Sequence, residues 1–174
     1  MGVSGCGKST AGQQIAAALD AAFLEADALH PATNIDKMSR GIALTDADRE
    51  PWLLLVRERS TQILQQQQRS CVVACSALRL RYRELLRDVA AATSAATPGQ
   101  VLFVFLQGSK ELILSRMQAR KDHFMPVGLL DSQFATLEEP GSEAGVVTVS
   151  IAPTMDIIVA DAVRQLRSLE STQR

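Results

Sequence analysis

Residues 2 to 9 read Gly-Val-Ser-Gly-Cys-Gly-Lys-Ser, and three glycines, a lysine and a hydroxyl at that spacing leave few folds open. Gly2, Gly5 and Gly7 have no Cβ and reach φ > 0 without strain, so consecutive backbone N–H groups can turn inward around an anion. Lys8 adds a point charge that reaches the outer phosphates of a polyphosphate, and the Ser9 hydroxyl is placed to ligate Mg2+. Such a loop works at the start of a helix, where free N–H groups and the helix dipole favour negative charge. Ala11 to Leu19 meets that demand with strong helix formers and with Ile15, Ala16 and Leu19 on one face. Gly2, Val3, Ser4, Gly5, Cys6, Gly7, Lys8, Ser9 and Thr10 are therefore the candidate cradle for the phosphates of ATP.

The rest of the chain alternates short apolar runs with helical patterns. Ala22 to Ala26, Cys71 to Cys75, Val101 to Leu106 and Val146 to Ile151 read as strands buried in a parallel sheet. Helices are expected from Thr45 to the Gln65–Gln68 run, from Leu78 to Ala91, from Ser109 onward, and from Thr154 to Leu169. Residues 32–44 and 93–100 read as loops, and residues 120–140, rich in charge, Pro and Gly, as a mobile lid. This alternation predicts one α/β domain over residues 1–174, a parallel sheet between two helical layers, with ligands at the carboxyl ends of the strands.

A net charge of −1 and a pI near 6.1 give no basic field for nucleic acid. No apolar stretch is long enough for a membrane span, and no charged segment precedes an apolar signal. Cys6, Cys71 and Cys75 make no disulfide framework and read as free thiols, which suits a reducing, cytoplasmic setting.

Phosphoryl transfer needs a nucleotide cradle, a metal, a group that orients the accepting hydroxyl, and positive charge over the moving phosphoryl. Asp27, at the end of the first of these strands, is the candidate acceptor-orienting carboxylate, and Glu25, two residues earlier, could hold Mg2+ through water. His30 lies on the loop beside them. Lys37, Arg40, Arg49, Arg79, Arg81 and Arg83 form a basic set near the same rim, from which a carboxylate-bearing substrate would take one or two in bidentate geometry. Arg116, Arg120, Lys121 and His123 stand at or beyond a helix end, where a closing loop could bring a cation onto the phosphates; Arg116 could equally stack on adenine.

Several blocks in this order resemble the gluconate kinases, small P-loop kinases related in architecture to shikimate kinase. They are the Gly2–Thr10 loop, Glu25-Ala26-Asp27-Ala28-Leu29-His30-Pro31, Asn34 to Met38 with Gly41 to Asp46, Asp48-Arg49 with Pro51-Trp52-Leu53, Ala74-Cys75-Ser76-Ala77-Leu78 with Tyr82-Arg83, and His123-Phe124-Met125-Pro126 through Leu130 to Glu138. The resemblance implies a three-layer P-loop kinase fold, ATP-dependent phosphorylation of D-gluconate at its 6-hydroxyl, and a homodimer. By position it implies catalytic roles for Lys8, Asp27 and Arg120, gluconate contacts from Asp27, His30, Lys37, Arg49, Arg79, Arg83 and His123, nucleotide contact from Arg116, and metal contact from Ser9 and Glu25. Another small-molecule kinase of this architecture, or a catalytically impaired relative, is the alternative reading. Relatives normally carry an apolar strand directly ahead of the position of Gly2. Without it the expectation is a truncated first strand, unpaired neighbours in the sheet and a poorly anchored loop.

Overall fold

The structure is a computed structural model and describes residues 1–88, 100–118 and 127–172. Helix α1 (Lys8–Ala18) rises directly from the glycine loop, with Gly7 at its N-cap in the left-handed region at φ 98°. A short strand β1 (Ala22–Glu25) follows and runs into a 3-10 turn, Ala26–Leu29. Helix α2 (Ala32–Ser39) then lies where the sequence predicts a loop. Pro31 supplies its N-cap in extended conformation, and the Asn34 side chain, 2% exposed, donates to the Asp48 carbonyl at 2.9 Å. That tertiary bond is invisible to periodicity, which sees only a polar segment.

Helix α3 (Asp46–Gln67) starts where the capping pattern predicts: the Thr45 hydroxyl accepts from the Asp48 N–H while the Asp48 carboxylate accepts from the Thr45 N–H. Pro51 sits early in the helix, and the residues it buries are Arg49, Trp52, Leu53, Val56, Ser60 and Thr61. Strand β2 (Cys71–Ala74), helix α4 (Leu80–Arg87), strand β3 (Phe103–Gln107), helix α5 (Lys110–Gln118), helix α6 (Val127–Thr136), strand β4 (Val146–Ser150) and helix α7 (Met155–Thr172) complete the order. Residues 127–136 thus form a helix within the segment expected as a lid, and its Leu130 is fully buried. The rest of that segment up to residue 126, and the loop expected over 93–99, lie outside the described residues.

All described strand pairs are parallel. β1 pairs with β2 from Ala22↔Cys71 to Glu25↔Ala74, and β3 pairs with β4 from Phe103↔Val146 to Gln107↔Ser150. One apolar layer (Val3, Ile15, Leu106, Ile113, Val149, Ile158, Ala162) packs beneath α1 and α7. The other (Trp52, Leu53, Val56, Cys75, Tyr82, Phe103) packs beneath α3 and α4. The result is the expected three-layer α/β arrangement, with three free cysteines.

No ladder joins β2 to β3 among the described residues. Met1 and Gly2 reach across instead: the Met1 carbonyl accepts from the Leu106 N–H at 3.0 Å, and the Gly2 N–H donates to the Ser76 carbonyl at 3.1 Å. Behind them a cavity of about 270 Å3, lined by Ile15, Val56, Val73 and Val104 among others, separates the two strand pairs. The facing edges of β2 and β3 border that slot. The loop itself is tied to both halves of the sheet at its first two residues.

Candidate active site

The glycine loop takes the shape its composition requires. Gly5 sits at φ +82°, and a Cβ there would come within 2.7 Å of Met117 Cγ. At Gly2, φ +140°, a Cβ would meet the Leu106 carbonyl oxygen at 3.0 Å, so both positions exclude a side chain on conformation and on space. Val3 and Cys6 are buried and fix the loop to the core, leaving Ser9 and Thr10 exposed at the start of α1. Lys8 folds back so that its ammonium donates to the Val3 carbonyl at 3.1 Å. An ammonium held over the loop, beside a helix N-terminus, is an anion receptor with its charge already in place.

The second half of the site lies at the carboxyl end of β1. The Asp27 side chain is 62% exposed, and His30 Nε2 stands 3.9 Å from its Oδ1. The imidazole is sheltered, stacked on the Trp52 indole at 4.1 Å between centroids, while Trp52 Nε1 donates to the Ala26 carbonyl at 2.8 Å. Burial pushes the His30 pKa below its usual value, more than the Asp27 carboxylate raises it, and the Arg49 charge pushes in the same direction as burial. His30 is therefore held as a neutral imidazole near pH 7.

The basic residues of the sequence divide sharply. Arg49 is 8% exposed, its Nε has no hydrogen-bond partner, and it forms no ion pair among the described residues. Arg79 gives Nη1 to Asp46 at 2.8 Å and leaves its own Nε unpartnered. Arg81 reaches the same carboxylate at 3.0 Å, and the Tyr82 hydroxyl donates to it as well. That phenol bond comes first, ahead of the arginine charges, in holding Asp46 below the usual carboxylate range. Lys37 is engaged with Asp48 at 2.7 Å. Arg83 is placed differently from the sequence expectation: it is 1% exposed, grips Glu143 through Nε and Nη2 at 2.9 and 2.7 Å, and gives Nη1 to the Ala77 carbonyl. Its donors face the interior, so it supports the fold and not the rim.

Glu25 ends β1 half-exposed. Arg116 is anchored by its Nη2 to the Ile151 carbonyl at 2.5 Å. Arg120 and His123 lie outside the described residues. Three contributors escaped the sequence reading of roles. Asn34 and Trp52 orient the His30 loop and Gln133 touches the phosphate loop through Ser4, although all three lie in the blocks that carry the resemblance.

A glycine loop feeding a helix, an acidic rim at the next strand's end and a parallel sheet between helices define a P-loop kinase domain. A family model described as an AAA domain matches residues 1–140. The chain is 46% identical over 152 residues to the thermosensitive gluconokinase of Escherichia coli (strain K12), covering 87% of this chain and 76% of that protein. It is 43% identical to the gluconokinase of Arabidopsis thaliana, covering 91% of this chain and 86% of that one. Among solved structures it matches a gluconokinase from Sinorhizobium meliloti 1021 with a TM-score of 0.87 at 45% identity, covering 99% of this chain and 92% of that chain. The chain belongs to the gluconokinase family.

Proposed function

We propose that the chain transfers the terminal phosphoryl group of ATP to the 6-hydroxyl of D-gluconate, giving 6-phospho-D-gluconate. The observation that carries this reading is Arg49, a buried guanidinium with an unpartnered Nε, set beside His30 on the rim that also holds Asp27. A buried, unpaired cation is costly unless an anion completes it, and an aldonate brings a carboxylate at one end and a hydroxyl at the other. Arg49 receives that carboxylate, with further contacts from Lys37 and from Arg79, whose Nε is also unpartnered and whose charge acts with that of Arg49 on Asp46. His30, neutral, hydrogen-bonds a hydroxyl of the polyol chain. Asp27, exposed, orients the acceptor hydroxyl and takes its proton as the oxygen bonds to phosphorus and the bond from phosphorus to the bridging oxygen breaks to release ADP.

The loop N–H groups and Lys8 hold the ATP phosphates, with Arg116 on the nucleotide side and Arg120 and His123 supplied by the segment after α5. Ser9 and Glu25 offer one exposed hydroxyl and one carboxylate, a sparse set that suits an Mg2+ ion keeping most of its waters. When bound, Mg2+ neutralises charge developing on the phosphate oxygens. By family resemblance we place the enzyme in a homodimer, and its three free thiols fit a cytoplasmic setting.

The test is gluconate-dependent ADP formation by the purified chain at saturating Mg-ATP. Absence of that turnover in soluble, folded protein overturns the reading. Turnover that prefers shikimate or a nucleoside monophosphate in a substrate panel moves it to another kinase of the same architecture.

A further inference from the structure

Gln133, on helix α6, makes two contacts with the phosphate loop that the glycine pattern does not foretell. Its Oε1 accepts from the Ser4 N–H at 2.7 Å and its Nε2 donates to the Ser4 hydroxyl at 3.2 Å. The Ser4 N–H can only donate, which fixes which end of the amide faces it. The peptide that carries this N–H also carries the Val3 carbonyl, and that carbonyl accepts from the Lys8 ammonium at 3.1 Å. One peptide plane is thus held from both sides, by the side-chain amide of Gln133 on its N–H and by Lys8 on its oxygen. Hydrogen bonds in such a chain polarise one another, so loss of one weakens the next.

The far end of the chain of contacts is seated on the core. Leu130 is fully buried and Leu129 is 6% exposed, seating α6 on the core. Its C-terminal end is pinned too, where the Glu138 N–H donates to the Leu78 carbonyl at 2.8 Å and the Glu138 carboxylate accepts from the Leu80 N–H at 2.7 Å. Gln133 therefore presents its amide from a fixed helix to a loop built of glycines, which has little stiffness of its own.

We propose that Gln133 is a positioning residue for phosphoryl transfer, which holds the Val3–Ser4 peptide so that its carbonyl keeps the Lys8 ammonium over the phosphate cradle. The proposal rests on the reading of the loop as an ATP-binding catalytic element. Because Gln133 acts through Lys8, its effect on ATP depends on Lys8 being there, which a merely structural contact would not require.

The experiment is a cycle of ATP affinities by titration calorimetry on the full chain: wild type, Gln133→Met, Lys8→Met and the double variant, each with its thermal midpoint. Gln133→Met is expected to weaken ATP about tenfold when Lys8 is present and less than about twofold when it is Met. In turnover, kcat falls by about one to two orders of magnitude while KM for gluconate stays within about twofold. Equal weakening in both backgrounds, or no weakening in either, overturns the proposal. Should Gln133→Met fail to fold, Gln133→Asn, which withdraws the amide by one methylene, is measured in the same two backgrounds against the same criterion. Lys8→Met with unchanged ATP affinity and turnover overturns the role of the loop and this proposal together. An inactive Lys8→Met beside neutral Gln133 variants overturns this proposal alone.

Discussion

The imidazole of His30 lies flat on the indole of Trp52, 18° from parallel. That stacking shelters a group whose charged form is penalised by burial first, partly relieved by Asp27 and worsened by Arg49. The folded state therefore binds protons at His30 more weakly than the unfolded chain does. With the pKa lowered on folding, the stability tied to His30 is complete above the unfolded value of about 6.5 and is lost as pH falls below it toward the folded pKa. Thermal midpoints of wild type should drop from pH 7 to pH 5.5 more steeply than those of His30→Gln. Parallel curves would remove His30 from the account. Trp52 is the sole tryptophan, so its emission gives an independent titration of the stacked ring.

Arg83 and Glu143 predict a different signature. Burial works against the Glu143 charge, but hydrogen bonds from Arg83 and Arg87 and their charges outweigh it and hold its pKa below the ordinary value. Arg83→Met removes one of the two cations on Glu143, which keeps Arg87 at 2.6 Å, and leaves the Ala77 carbonyl without its donor, at a cost of about 1–3 kcal/mol. Chemical denaturation should show that loss, while KM for gluconate in the folded fraction stays near wild type. A large rise in that KM with stability intact would return Arg83 to the substrate contacts.

The contrast between Arg83 and Arg49 marks how far the sequence could be read. Local chemistry was legible: the glycine loop, the Thr45–Asp48 capping box and the four strands follow from residue type and period, and the structure carries all of them. Helix α2 was not, since its polar residues are held by the Asn34 bond to a carbonyl 14 positions away. Nor could six basic residues be sorted by spacing alone. Arg83 found a carboxylate 60 positions downstream, whereas Arg49 found none among the described residues, and only three-dimensional pairing separates a structural cation from a vacant one.

Asp27 should separate chemistry from binding. Its exposed side chain contributes little to the core, so Asp27→Asn is expected to leave the thermal midpoint and ATP affinity near wild type. The amide cannot take the hydroxyl proton, and kcat should fall by about 10^2 to 10^4. Steady-state kinetics checks this, and a kcat within about threefold of wild type would shift the acceptor-orienting role to another group.

Arg49 offers the sharpest opposition of stability and function. A guanidinium that is 8% exposed with an unpartnered Nε carries a desolvation cost that no direct ion pair among the described residues repays, the Asp46 carboxylate acting on it without contact. Replacing it with Met, which fills similar volume without charge, should therefore leave the ligand-free protein as stable as wild type or raise its thermal midpoint. The same change removes the proposed receptor for the gluconate carboxylate, and loss of a charge-assisted contact of this kind weakens binding by about 1.5–3 kcal/mol, or roughly ten- to a hundredfold in KM for gluconate. ATP affinity should not move, because the proposed seat of the nucleotide phosphates is the loop at the start of α1. Arg49→Lys should recover only part of the gluconate affinity, since an ammonium cannot form the paired bonds of a guanidinium. A destabilised Arg49→Met protein with normal KM for gluconate would assign Arg49 to the fold, beside Arg83, and leave the carboxylate to Arg79.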